Sequence, residues 1–114
     1  MLDCLFCKIA QKQIPAKIAY EDEFVLAFSD VNPQAPVHLL VIPKHHISTI
    51  NDLTPADSTL IGRMMLTAQQ LAGEEGIAES GFRLIMNCNR DGGQTVYHLH
   101  LHLLGGRSMS WPPG

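Results

Sequence analysis

Near the C-terminus the chain reads Val96-Tyr97-His98-Leu99-His100-Leu101-His102-Leu103-Leu104, histidine alternating with leucine through three cycles. Side chains of an extended strand point alternately to opposite faces, so this stretch predicts a strand with His98, His100 and His102 on one face. Leu99, Leu101 and Leu103 share the other face and require a hydrophobic core behind them. A helix would scatter the imidazoles around its axis. Neighbouring members of the row sit ~6.6 Å apart along a strand and the outer pair ~13 Å. Two neighbours could chelate one ion, whereas all three converging on it would strain the strand. Single-site catalysis, with the middle histidine acting and its neighbours assisting, suits that spacing better.

The rest of the chain supplies the elements for such a core. Asp3 is expected to cap a short helix reaching about Lys12 and ended by Ile14-Pro15, with Phe6, Ile9 and Ala10 on one side. Lys17–Tyr20 and Phe24–Ser29 read as strands around the acidic turn Glu21-Asp22-Glu23, and Val37–Ile42 as an apolar central strand carrying His38 on the Leu40 and Ile42 face. Between them Asp30–Pro36 is a proline-punctuated loop. Thr54-Pro55-Ala56-Asp57 opens a helix over about Pro55–Glu75, with Leu60, Ile61, Met64, Ala68, Leu71 and Ala72 at helical spacing and Gly76 as its stop. Phe82–Asn87 alternates again, Asn89–Gly93 turns, and Gly105-Gly106 ends the histidine strand. The expected fold is α+β: an antiparallel sheet of about five strands with one long and one short helix, a single domain over 1–114 with a tail from 105.

The 114 residues suffice for one core without obligatory staples. A net charge of −3 argues against nucleic acid and membrane surfaces as partners. Three cysteines make no disulfide framework, the N-terminus lacks the basic start and apolar core of a signal peptide, and no apolar run approaches a membrane span. A cytoplasmic protein is expected.

His98-Leu99-His100-Leu101-His102-Leu103-Leu104 matches the His-x-His-x-His-x-x signature of the histidine triad family, and the remainder resembles its Hint branch, the nucleoside phosphoramidate hydrolases. The resemblance covers nearly the whole chain. It is carried by Ile14-Pro15-Ala16-Lys17, Pro33-Gln34-Ala35-Pro36-Val37-His38, Val41-Ile42-Pro43-Lys44, Asp91–Tyr97 and the closing Trp111-Pro112-Pro113-Gly114. It implies the same α+β fold and two subunits pairing into one continuous sheet.

Neutral imidazole carries a nucleophilic lone pair near pH 7, and attack on phosphorus would split one difficult displacement into two easier ones. The resemblance implies that His100 is the nucleophile, with His98 and His102 holding its tautomer and handling protons and His38 extending the relay. The alternative reading of His38 is a core histidine satisfied by a backbone carbonyl. Fixed donors for phosphoryl oxygens are available in Asn87 and in the Gly92-Gly93-Gln94-Thr95 loop, which without the resemblance is a plain turn. The resemblance implies phosphate contacts from Asn87 and Thr95, ribose contacts from Asp30, and a purine pocket walled by Phe6, Ile9, Phe28 and Val31, residues that in isolation are simply core. It also implies that the tail bearing Trp111 lies beside the neighbouring subunit's site, where it shapes leaving-group preference.

Cys4-x-x-Cys7 is either a pair of small buried hydrophobes or half of a four-ligand zinc site completed by His46 and one triad histidine. The resemblance implies a structural zinc on Cys4, Cys7, His46 and His98, and no cofactor for catalysis. Cys88 has no partner in the sequence. The leading expectation is hydrolysis of the P–N bond in purine nucleoside 5′-phosphoramidates, adenosine phosphoramidate or aminoacyl-adenylate-type compounds. An AMP or GMP moiety would be bound and a homodimer formed. Dinucleoside polyphosphate hydrolysis, nucleotidyl transfer and non-catalytic nucleotide binding are the alternatives. The resemblance implies that the transferase branch carries Gln at the third triad position, so the intact His102 favours water over a second substrate as acceptor.

Overall fold

The computed structural model describes residues 3–114; Met1 and Leu2, part of the N-terminal stretch considered for targeting, lie outside them. The elements run α1 (Leu5–Ala10), β1 (Ile18–Glu21), β2 (Val25–Ser29), β3 (Val37–Pro43), two 3-10 turns (Ile50–Asp52 and Pro55–Asp57), α2 (Ser58–Glu74), β4 (Phe82–Ile85) and β5 (Leu101–Gly105). All five strands form one antiparallel sheet in the order β1-β2-β3-β5-β4. The expected class is therefore the observed one.

Alternation along the central strands divides the core in two. Val25, Ala27, Leu39, Val41, Leu99, Leu101 and Leu103 face α2 and meet its Met64, Ala68, Leu71 and Ala72. Leu26, Phe28, Leu40 and Ile42 face the other way and meet Phe6 and Ile9 of α1. Each fully buried side chain of this size stabilises the fold by about 1.5–3 kcal/mol, so the helix-backed face is the stronger anchor. The face shared with the histidines is left free to carry a cavity.

Several element boundaries differ from expectation, and at the two helices the local reason is visible. The cap of α1 is Cys4 and not Asp3: Cys4 has the extended backbone a cap requires, and its Sγ accepts from the Cys7 N–H at 3.3 Å. The same helix ends at Ala10, well before Ile14-Pro15, because Lys12 takes a left-handed φ of 64° and Gln13 N–H returns to the Lys8 carbonyl. The expected single helix from Pro55 begins as a 3-10 turn capped by Thr54 and Asp57, and α2 proper starts at Ser58. β4 stops at Ile85, two residues short of Asn87.

The largest departure concerns the histidine strand. Its ladder with β3 runs only from Val37↔Gly105 to Val41↔Leu101. In that register Leu99 would face Pro43, which has no N–H to donate. Regular strand therefore begins at Leu101, and Val96–His98 bends, with Leu99 N–H bonded instead to the Ile47 carbonyl. The alternation of faces survives the loss of the ladder: Leu99 still enters the α2 core, and His100 and His102 still face away from it. Among the described residues no helix is long and apolar enough to cross a membrane.

Candidate active site and metal centre

A cavity of about 670 Å³ opens on the α1 side of the sheet. Phe6 and Ile9 from α1 wall it together with Phe28 from β2, and Asp30 and Val31 from the following loop. His38 from β3, His100, His102 from β5, and Asn87, Gly93 and Thr95 from the loop after β4 complete it. Those eleven residues were singled out from the sequence, and the fold brings them to one concavity. Leu5, Gln34 and the Ile14–Lys17 segment also line it, without being among the site residues expected from the sequence. Val31 reaches the cavity while 99% exposed, at its open rim.

Hydrogen bonds fix the imidazole tautomers. His100 donates Nδ1–H to the His98 carbonyl at 2.7 Å, which leaves its Nε2 lone pair unprotonated. On the other chain of contacts, the Gln34 N–H donates to His38 Nδ1 at 3.0 Å, so the proton of His38 must sit on Nε2. That Nε2–H then donates to His102 Nδ1 at 2.9 Å, with Asp30 Oδ2 3.4 Å away on its other side. His102 is consequently left with its proton on Nε2. One neutral imidazole thus offers a lone pair and its neighbour, 5.0 Å away between ring centroids, offers an N–H.

Burial acts in the same sense. It pushes His102 down to about 4, reinforced by the neighbouring His100 and His38, with only Asp30 opposing. It also lowers His38, against the raising effect of Asp30, and lowers His100, against its bond to the His98 carbonyl. Without ligand all three rings are held neutral at pH 7, the state in which a lone pair can attack.

The phosphate-side loop is shaped by tight contacts. Asn87 Nδ2 donates to the Gly92 carbonyl at 2.6 Å, and a Cβ on Gly92 would run into the backbone of Cys88, within 2.8 Å of its nitrogen. Gly93 has φ +79°, where a side chain is strained. Gln94, expected as a ligand donor, does not line the cavity: its buried amide spans the Ser48 and Val96 carbonyls and accepts from the Asn89 N–H. It ties the loop down. Trp111 lies away from this cavity and is 81% exposed, although Pro112 and Pro113 border a second hollow of about 360 Å³ beyond His38 and His102.

His98 takes no part in the cavity wall. It is fully buried, its Nε2 donates to the Pro43 carbonyl at 2.8 Å, and its Nδ1 is therefore a lone pair. Three groups crowd that lone pair: Cys4 Sγ at 3.2 Å, Cys7 Sγ at 3.5 Å and His46 Nδ1 at 3.2 Å. Cys7 Sγ also lies 3.3 Å from His46 Nδ1. Pairs of ligands on a tetrahedral zinc, with bonds of about 2.0–2.3 Å, lie about 3.3–3.8 Å apart. One lone pair cannot satisfy three donors at once, whereas four soft or borderline donors around one cation are all satisfied. The two-sulfur, two-nitrogen set therefore fits a zinc ion. Sequence reasoning could not have found the Pro43 carbonyl or the Gln34 N–H, since every residue has a backbone and only the fold selects which one is met.

The chain is similar to known proteins along nearly its whole length. Residues 3–111 match the family described as "Scavenger mRNA decapping enzyme C-term binding". The chain is 54% identical to a HIT-like protein of Synechococcus elongatus over 98% of its own length and 97% of the relative's. It is 51% identical to the purine nucleoside phosphoramidase of Escherichia coli, covering 94% and 90% of the two chains. The crystal structure of a HIT family hydrolase from Legionella pneumophila superposes with a TM-score of 0.97 at 59% identity, over 98% of this chain and 100% of the other. A histidine triad nucleotide-binding protein from Candida albicans does so with a TM-score of 0.83 at 29% identity, over 96% and 83%. The alternating His98, His100 and His102, the cavity that the last two border and these matches along nearly the full length lead to one assignment: the chain belongs to the histidine triad family of hydrolases.

Proposed function

We propose that this protein hydrolyses the P–N bond of purine nucleoside 5′-phosphoramidates, releasing the nucleoside monophosphate and an amine through a nucleotidyl-histidine intermediate. The observation that carries the reading is the pair of opposed tautomers, a free Nε2 on His100 beside an Nε2–H on His102. The purine lies between the apolar walls of Phe6, Ile9, Phe28 and Val31, with the ribose hydroxyls on Asp30. Phosphoryl oxygens take hydrogen bonds from Asn87 and Thr95 and from the backbone N–H groups around Gly93. His100 Nε2 attacks phosphorus, the P–N bond breaks, and the departing nitrogen receives a proton from the His102 side. Water then attacks phosphorus, giving its proton to the same histidine; a P–O bond forms, the P–Nε2 bond breaks with its electron pair returning to His100, and the monophosphate leaves. His98 contributes its carbonyl, which keeps the His100 proton on Nδ1, so we assign it a positioning part.

The zinc that Cys4, Cys7, His46 and His98 would hold supplies no step of this chemistry; bound there, it fastens α1 to the turn before β5. We assign the homodimer to the free edge of β4, which has no strand partner on its outer side among the described residues and carries a half-exposed Phe82. The exposed Trp111 tail is then available to a partner's cavity. A P–O–P bond is the alternative scissile linkage, favoured by one feature: Arg83 and Arg107 border the hollow beyond His102, where a second phosphate would sit.

Adenosine phosphoramidate, diadenosine polyphosphate and a nucleotidyl acceptor, offered separately, distinguish these readings by product. With adenosine phosphoramidate, a quenched reaction should give protein carrying one adenylyl group on the peptide containing His100. His100→Ala should lose nearly all turnover, about 10⁴-fold or more, while still binding AMP. Equal turnover by the two proteins would discard the nucleophile.

A further inference from the structure

The candidate metal cluster and the nucleotide cavity are built from opposite sides of the same two segments. α1 has only six residues, far below the ~12–15 an isolated helix needs for even marginal stability, so its position depends on what holds it. Cys4 and Cys7 fasten its first turn to His46 and His98. Phe6, between those two cysteines in sequence, turns to the cavity and meets the His100 ring edge-on at 5.1 Å between centroids. It also meets Phe28 at 5.4 Å and His98 at 6.0 Å. The second segment is His98 itself, whose ring faces the cluster while its carbonyl holds the His100 proton. Thr95 and Val96 border the nucleotide cavity and also a separate hollow of about 490 Å³ reaching Cys4 and His46. A chelator can therefore approach the cluster without entering the nucleotide cavity.

We infer that metal and purine nucleotide bind this chain cooperatively, with Cys4 and Cys7 as positioning residues for the base wall and the nucleophile. The inference rests on the metal and nucleotide readings given above and adds an energetic link between them. An ion on the four ligands fixes α1 and the His98 carbonyl in the arrangement the nucleotide needs. A nucleotide packed on Phe6 fixes α1 in the arrangement the ion needs. Linkage makes the two effects equal: whatever factor the metal adds to nucleotide affinity, the nucleotide adds to metal affinity. About tenfold is expected, inside the 5–150-fold span common for coupled sites.

The test uses the full-length protein loaded with Zn²⁺, with metal content and AMP affinity measured first by elemental analysis and calorimetry. Zinc transfer to an excess of a chromogenic chelator is then followed with and without saturating AMP. One zinc per chain, AMP binding, and transfer slowed about tenfold by AMP are the expected results. Stripped protein should bind AMP about tenfold more weakly, and Phe6→Ala should bring the AMP effect on zinc transfer close to one while zinc stoichiometry stays at one. Unchanged transfer with both ligands bound overturns the linkage and leaves both sites standing. No saturable zinc uptake overturns the metal site and the linkage with it, and no AMP binding overturns the nucleotide reading.

Discussion

Replacing His38 by alanine separates a proton carrier from a group that only orients its neighbour. In the folded chain His38 does two things: it accepts from Gln34 N–H and it donates to His102 Nδ1. Alanine removes the second bond, and His102 then chooses its tautomer freely. A hydrogen bond of this kind contributes a net 0.5–1.5 kcal/mol, which is a factor of about 2–13 in the population of the competent tautomer. The turnover number should fall by about that factor, with little change in KM, because Asp30 and the apolar walls are untouched. A residue that itself moved the proton would cost about 10²–10⁴. His38→Gln puts an amide N–H near the position of Nε2 and should recover much of the lost rate. The assay is steady-state release of AMP from adenosine phosphoramidate by wild type, His38→Ala and His38→Gln. Urea unfolding runs in parallel, since the freed Gln34 N–H should cost about 1 kcal/mol of stability. A thousandfold loss with no rescue by glutamine would refute the positioning role and make His38 a proton donor in its own right.

Two further outcomes follow from burial and from backbone geometry. His102 is pushed down to about 4 in the fold, from the ordinary 6.5 of the unfolded chain. The unfolded state binds its proton first as pH drops, so this group's contribution is whole above pH 6.5 and is lost progressively down to about pH 4. Urea midpoints measured across that window should decline with falling pH, and less steeply in His102→Asn; identical slopes would contradict the assignment. Gly92→Ala should destabilise by about 1–3 kcal/mol, because the added methyl meets the Cys88 backbone and neither side can yield cheaply. Gly73→Ala, in α2 with nothing within 4 Å of the new carbon, should instead stabilise by about 0.5–1 kcal/mol in the same unfolding assay.

Much of the site is legible in residue order because strand periodicity is so short. Alternation at 98–104 assigns each side chain to a face without reference to anything distant, and it does so even where Pro43 ends the ladder and the backbone bends. Cys4-x-x-Cys7 is similarly local, since one helical turn brings residues three apart to the same side. The resemblance of whole motifs then extends this to Asp30, Asn87 and Thr95, which have no periodicity to reveal them. Gln94 shows the limit of that extension: its amide is occupied by three backbone groups and does not line the cavity.

What residue order determined on its own is which groups share a side: three imidazoles opposite three leucines, and two thiols on one turn. The tertiary structure alone decided what each group does there. His98 and His100 are two residues apart and share a face, yet one turns a lone pair to Cys4, 94 residues away, and the other keeps a lone pair for the cavity. The difference comes from the backbone carbonyls of Pro43 and His98, which carry no identity in the sequence. Side-chain facing is a local property of the backbone, but the proton on an imidazole is placed by whichever polar group the completed fold sets beside it.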